Sequence, residues 1–152
     1  MLTVRTLHSS DLCDLLALYA HLHRQDDPLP SGAVVQDTWQ EILSNPHHRV
    51  FGGYVGDTLV SSCALTIVPN LTRGCRPYGI VENMVTHAGH RNKGYGKAIL
   101  AHALAHAWAA RCYKVMMLTG KKDEATAQFY EGAGFDGDEK RGFIAKPETR
   151  GI

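Results

Sequence analysis

No apolar run in this chain reaches the ~18 residues that a membrane-spanning helix needs, so no such helix is expected. An excess of one charge is also missing, because 16 Lys and Arg stand against 15 Asp and Glu for a net charge of +1. Phosphate backbones are held by a clear basic excess, which argues against nucleic-acid binding as the main task. The opening MLTVRTLHSSDL has neither a long apolar core nor a cleavage-like site, so no signal peptide is read there. Cysteine pairs are lacking too. Cys13, Cys63, Cys75 and Cys112 lie far apart with no CxxC spacing, as expected of a cytoplasmic protein with free thiols. There is no internal repeat and no low-complexity tract. The P-loop pattern GxxxxGK[ST] is absent, which removes support for ATP or GTP hydrolysis.

What is present fits one domain over residues 1–152, long enough to bury a real core. Residues 2–7 alternate like a short strand. Residues 9–25 open with Ser and Asp, good helix caps, and put Leu12, Leu15, Leu16, Tyr19 and Leu22 on one helical face. A loop at 26–32 leads to a second helix at 35–45. Segments 49–56 and 58–70, separated by Gly-Asp, read as a hairpin, and 78–87 as a third strand of that run. Residues 97–112 read as a helix with Leu100, Leu104 and Trp108 in its stripe. The short apolar 114–119 reads as a strand buried on both faces. A helix at 123–135, with Asp123 as its N-cap and Gly134 as a left-handed C-cap, and a last strand at 142–146 close the chain. The expected class is α/β (α+β), a mixed sheet with helices packed on its faces.

The most informative stretch is HRNKGYGKAIL, residues 90–100. Its two glycines fall where a strand gives way to a helix. The first N–H groups of a helix lack internal partners and carry about half a positive charge, which makes such an end a phosphate site if no side chain blocks it. Gly94 and Gly96 remove the block, and Arg91, Lys93 and Lys97 add charge. The ligand inferred is a phosphate, with a pyrophosphate favoured over a single one. A dinucleotide GxGxxG pattern would need a third glycine where Ile99 stands, and would follow the first strand of the fold.

VENMVTHAGHRNKGYGKAIL (81–100) resembles the acetyl-CoA-binding segment of the GNAT superfamily of N-acetyltransferases, with Arg91, Gly94 and Gly96 at the positions of its [Q/R]-x-x-G-x-[G/A] signature. CYKVMMLTGKKDEATAQFYEGAGF (112–135) resembles the family's last strand and helix, including its frequent FY…GF. VENMVT, CYKV and FYEGAGF together look most like the glucosamine-6-phosphate N-acetyltransferase branch. The resemblance implies the GNAT fold, a mostly antiparallel central sheet with helices on both faces, and suggests a homodimer. Asn92 stands where many members have glycine, and asparagine tolerates unusual backbone angles. Asp123 stands near a position where many members have an asparagine that touches CoA; it is read here chiefly as the helix cap.

The resemblance further implies that backbone groups of Met84, Val85 and Thr86 pair with the pantetheine arm as with another strand. Residues 91–97, including Asn92, Lys93, Tyr95 and Lys97, are expected to hold the phosphates. Direct acetylation of an amine needs a neutral amine, an N–H donor for the oxyanion and a proton for the departing thiolate. Met84 N–H is the expected donor, and Tyr130, at the family's tyrosine position, is the expected proton source. Glu82 is the expected base or ammonium anchor, and Asn83 a further substrate contact. His87 and His90 sit in the bend beside the phosphate site. His102 and His106 have helical spacing, but no HExxH glutamate accompanies them and they lie on roughly the opposite face from Leu100 and Leu104, so no metal is expected. The acceptor is expected to be a small molecule walled by residues 22–35 and 69–78. The alternative reading is a GNAT-fold module that binds or senses acyl-CoA without turning it over.

Overall fold

The computed structural model describes residues 1–147. The chain forms two compact units, Met1–Met117 and a second from Leu118 onward. The first unit contains β1 (Leu2–Thr6), a 3₁₀ turn (Ser9–Asp11), α1 (Leu12–Tyr19), α2 (Gly32–Ser44), β2 (His48–Val55), β3 (Thr58–Val68), the short helical turn α3 (Thr72–Cys75), β4 (Tyr78–Thr86), a 3₁₀ turn (Ala88–His90), α4 (Tyr95–Ala109) and β5 (Val115–Met117). The second contains α5 (Glu124–Gly132). The five strands form one sheet in the order β1-β2-β3-β4-β5. Every pairing is antiparallel except the parallel β4–β5 pair.

Register assigns the two faces. Val50 lies opposite Ala64, and both join Leu7, Leu12, Leu15, Leu18, Trp39 and Tyr54 in a cluster under α1 and α2. The alternate residues Phe51 and Gly53 face α4. Phe51 meets the His102 and His106 rings at centroid distances of 4.9 and 5.4 Å, and a Cβ at Gly53 would meet Ile99 Cδ1 at 3.0 Å. Helices therefore cover both faces, as expected.

Several boundaries differ from those read in the sequence. The first helix ends at Tyr19 and the second begins at Gly32, so the connection is residues 20–31. The buried seam of α4 is Gly96, Ile99, Leu100, Ala103 and Ala107, and Trp108 is half exposed. Glycine and alanine let the helix axis come close to the sheet, a constraint of the sheet and not of the helix alone. His106 is half-buried on Phe51 and not turned away from the sheet. Residues 142–146 form no strand; Phe143 and Ile144 are largely exposed, and no strand pairs with the segment among the described residues. Strand propensity becomes a strand only where a ladder partner exists. The expected caps of α5 are present: Thr126 N–H donates to Asp123 Oδ1 at 2.8 Å, and Gly134 has φ +100°.

One polar group ties β1, the 3₁₀ turn and β2 together. The buried Asp11 carboxylate accepts from Arg5 Nη1 and Nη2 at 2.7 and 2.8 Å, from His8 N–H at 2.6 Å and from the Tyr54 hydroxyl at 2.9 Å. The Arg5 hydrogen bonds hold its carboxyl well below the usual carboxylate range, with His8 and Tyr54 adding against the cost of burial. Burial, with Asp11 beside it, pushes the Tyr54 phenol up to about 12.

Because the folded-state pKa of Asp11 is depressed, its stabilisation is complete above the ordinary carboxylate value of about 3.9 and is lost as pH falls toward the folded value. The Arg5 side chain is 38% exposed, so Asp11→Asn is expected to cost about 2 kcal/mol at neutral pH, less than a fully buried pair. Denaturant unfolding at pH 7 and pH 3 checks this. The gap to the parent should narrow at pH 3, and an equal gap at both would contradict the assignment.

Candidate functional site

β4 carries an irregularity on one side and a free edge on the other. Toward β3 the register steps from Ser62↔Val85 to Ala64↔Glu82, so Asn83 and Met84 together oppose Cys63 alone. This is a bulge, which bends a strand and re-aims its groups. Asn83 takes φ +53°, a left-handed backbone that asparagine tolerates better than most residues. Toward β5 the ladder covers only Gly79–Val81, opposite Val115–Met117. Beyond Val81 the two strands part, and among the described residues no strand pairs with that edge of 82–86. A row of backbone N–H and C=O groups is thus left for an extended ligand.

Three groups hold this segment from behind. The Ser61 hydroxyl donates to Val85 O at 2.9 Å, and its oxygen lies 2.9 Å from Thr86 Oγ1. Tyr19 of α1 is half-buried, its phenol pushed up to about 12 by burial, with the Asn83 side chain as a hydrogen-bond partner. Cys63, opposite the bulge, is fully buried, and burial pushes its thiol up to about 12. A thiol so protonated is a poor nucleophile. Among the described residues no His, Cys, Asp and Glu cluster is arranged to hold a metal ion.

The chain leaves β4 through His87–Arg91 and turns into α4. Asn92 has φ +60°, and Gly94, the N-cap of α4, has φ +80°. A side chain there would meet no atom within 4 Å, so it is the backbone angle that asks for glycine. No side chain caps α4, and its first turn holds no acidic residue. The N–H groups of Tyr95, Gly96 and Lys97 precede the first intrahelical bond, Ala98 N–H to Gly94 O at 3.1 Å. Gly96 is buried in the face packed on the sheet. Nearby, the His90 Nδ1 is buried without a hydrogen-bond partner among the described residues.

The expected site residues thus fall into two groups. Glu82, Asn83, Met84, Val85 and Thr86 lie on one strand, which runs directly into Arg91, Asn92, Lys93, Gly94, Tyr95, Gly96 and Lys97. Glu82 and Asn83 are exposed, Met84 and Thr86 half-buried and Val85 buried. Arg91, Lys93 and Lys97 are exposed. Arg91 turns back, its Nε donating to Thr86 O and its Nη2 to His21 O, each at 3.2 Å. Asp123 and Tyr130 belong to α5 of the second unit. Tyr130 is half-buried, its ring 4.9 Å from Phe129 and 6.3 Å from Phe135. Sequence reasoning singled out neither Tyr19 nor His21, which lie against Asn83 and against Ala88 and Arg91. The only signal for Tyr19 was its place on an apolar helix face, which equally fits the core.

A family model described as the acetyltransferase (GNAT) family matches residues 12–135. A glucosamine 6-phosphate N-acetyltransferase of Trypanosoma brucei brucei is 30% identical over 140 residues, covering 92% of each chain. A solved structure from Agrobacterium tumefaciens str. C58, with a provisional acetyltransferase assignment, is 38% identical with a TM-score of 0.89, covering 95% of this chain and 99% of its own. The fold is shared with AAC(6′)-Iy, solved with the bisubstrate analogue CoA-S-monomethyl-acetylneamine, at 17% identity and a TM-score of 0.77 over 97% of this chain and 99% of that one.

The bulge makes a local prediction. Asn83→Gly suits the positive φ and should cost only about 1 kcal/mol, for the lost bond to Tyr19, whereas the β-branched Asn83→Val loses that bond too and should cost about 1–2 kcal/mol more. Urea midpoints of the two variants check this. A valine variant as stable as the glycine one would contradict the left-handed conformation at this position.

Proposed function

The chain belongs to the acetyltransferase (GNAT) family and is an acyltransferase, and from that premise we propose that it transfers an acetyl group from acetyl-CoA directly to the primary amine of a small molecule. An amino sugar is the acceptor class favoured, because the Trypanosoma brucei brucei relative is named for glucosamine 6-phosphate. The observation that carries the reading is the edge of 82–86, which no strand joins among the described residues, leading into a helix N-terminus without a side-chain cap and with a glycine at its cap. That sequence of features fits an extended amide-bearing arm followed by a pyrophosphate. In this reading one domain over residues 1–152, cytoplasmic and homodimeric, performs the reaction.

Acetyl-CoA is a substrate here and supplies an activated thioester. The amine nitrogen bonds to the carbonyl carbon, the C–S bond breaks, the nitrogen loses a proton and the sulfur gains one. Each residue has a stated part. Backbone groups of Met84, Val85 and Thr86 align the arm, and Met84 N–H faces the developing oxyanion. The N–H groups of 95–97 with Arg91, Asn92, Lys93 and Gly94 hold the phosphates. Glu82 takes the amine proton, directly or through water, or anchors the ammonium, with Asn83 beside it as an acceptor contact. Tyr130 gives the thiolate its proton or a hydrogen bond. Its assignment rests on the family's tyrosine position, as does any contact of Asp123 with CoA beyond its capping role. The buried, protonated Cys63 opposite the bulge favours direct transfer over a thiol-bound intermediate.

The test is thiol release from acetyl-CoA against a panel of amino sugars, amino acids, polyamines and aminoglycosides. Glucosamine 6-phosphate or a related amino sugar should give the largest kcat/KM. With that amine, Glu82→Gln and Tyr130→Phe should each lower kcat about 10²-fold, the low end for proton-transfer groups, while acetyl-CoA affinity stays near the parent value. No release with any amine would overturn the reading. An unchanged kcat in either stable variant would remove that residue from the mechanism.

A further inference from the structure

The connection between α1 and α2 is fastened to the loop that enters α4. The His21 ring, two residues past the end of α1, lies against the His87 ring with centroids 4.0 Å apart and planes tilted by 44°. His21 Nδ1 accepts from Ala88 N–H at 3.4 Å, and His87 Nδ1 accepts from Gly89 N–H at 3.0 Å. The Arg91 guanidinium closes the contact by joining Thr86 O to His21 O. Beyond this point residues 23–31 are all exposed, and Arg24 lies at their start. A ring that accepts on Nδ1 is neutral, with its proton on Nε2. Burial, then the neighbouring His87 and Arg91, hold the His21 pKa below its ordinary value, which keeps that form.

We propose that His21 is a positioning residue that fastens the 20–31 connection to the acetyl-CoA loop, so that acetyl-CoA bound at the α4 N-terminus orders the connection. The inference rests on the reading of 91–97 as the phosphate site. Arg91 carries five N–H donors, of which two are engaged with Thr86 O and His21 O. An anion at the start of α4 engages the rest and fixes the guanidinium. Fixing it removes the ordering cost of its bond to His21 O, so the connection becomes more ordered without a new contact to the ligand. By reciprocity, whatever orders the connection, an acceptor lying against it included, tightens acetyl-CoA binding by the same factor.

Limited trypsin digestion tests this, with cleavage after Arg24 followed by mass spectrometry and acetyl-CoA affinity measured by calorimetry on the same samples. In the wild type, saturating acetyl-CoA should slow cleavage at Arg24 about fivefold or more. His21→Phe keeps a ring against His87 and deletes the acceptor for Ala88 N–H that holds the residue 21 carbonyl within reach of Arg91, so the protection should be lost while the variant still binds acetyl-CoA. His21→Asn places an oxygen near the former Nδ1 and should restore protection. Should the phenylalanine variant fail to fold, His21→Ala gives the same reading. Wild-type binding without protection at Arg24, or protection that persists in His21→Phe and His21→Ala, overturns the proposal. A wild type that does not bind acetyl-CoA brings down the phosphate-site reading first, and this inference with it.

Discussion

What the site can offer a ligand depends on β4 leaving its neighbour. A strand inside a sheet has both edges satisfied and nothing to offer a ligand. β4 is held by β3 along its length, yet its parallel pairing with β5 stops at Val81. The remaining five residues keep a strand's pairing with β3, with one edge that no strand joins among the described residues. The bulge at Asn83 and Met84 sits in this freed stretch, where a change in backbone direction alters what the edge presents. The rest of the first unit can be understood as support. α1 and its partners pack one face, α4 packs the other through small residues, and Ser61 ties the far end of β4 to β3.

The same strand continues into the start of α4, so one segment of about sixteen residues presents an extended edge and then a helix N-terminus. The two demands on the backbone are different, and the chain meets them with three left-handed residues, Asn83, Asn92 and Gly94. Each sits at a change of direction: the bulge, the approach to the helix and its cap. None is a β-branched residue, for which this backbone region is costly.

Much of this was legible in the sequence because it is local. The glycine and basic residues of 90–100 announce a helix start stripped of side chains, and the α5 caps at Asp123 and Gly134 are one-turn features that neighbouring residues decide. What stayed hidden is set by distant partners. The bulge exists only against Cys63, twenty residues away. The contact of His21 with Ala88 and the bond of Tyr54 to Asp11 join positions 67 and 43 apart in the chain. The seam of α4 was misread toward Trp108 because the sheet, not the helix, selects which side is buried. Residues 142–146 have strand composition but no ladder to join among the described residues.

The most direct measurement is amide hydrogen exchange along β4 with and without acetyl-CoA. Outside the bulge at Asn83 and Met84, successive residues of a strand turn their N–H groups to opposite edges, so some amides of 82–86 pair with β3 and the others face the open side. Saturating acetyl-CoA should slow the open-side amides about tenfold or more and change the β3-paired ones little. Unchanged exchange across 82–86 in a protein saturated with acetyl-CoA would contradict this.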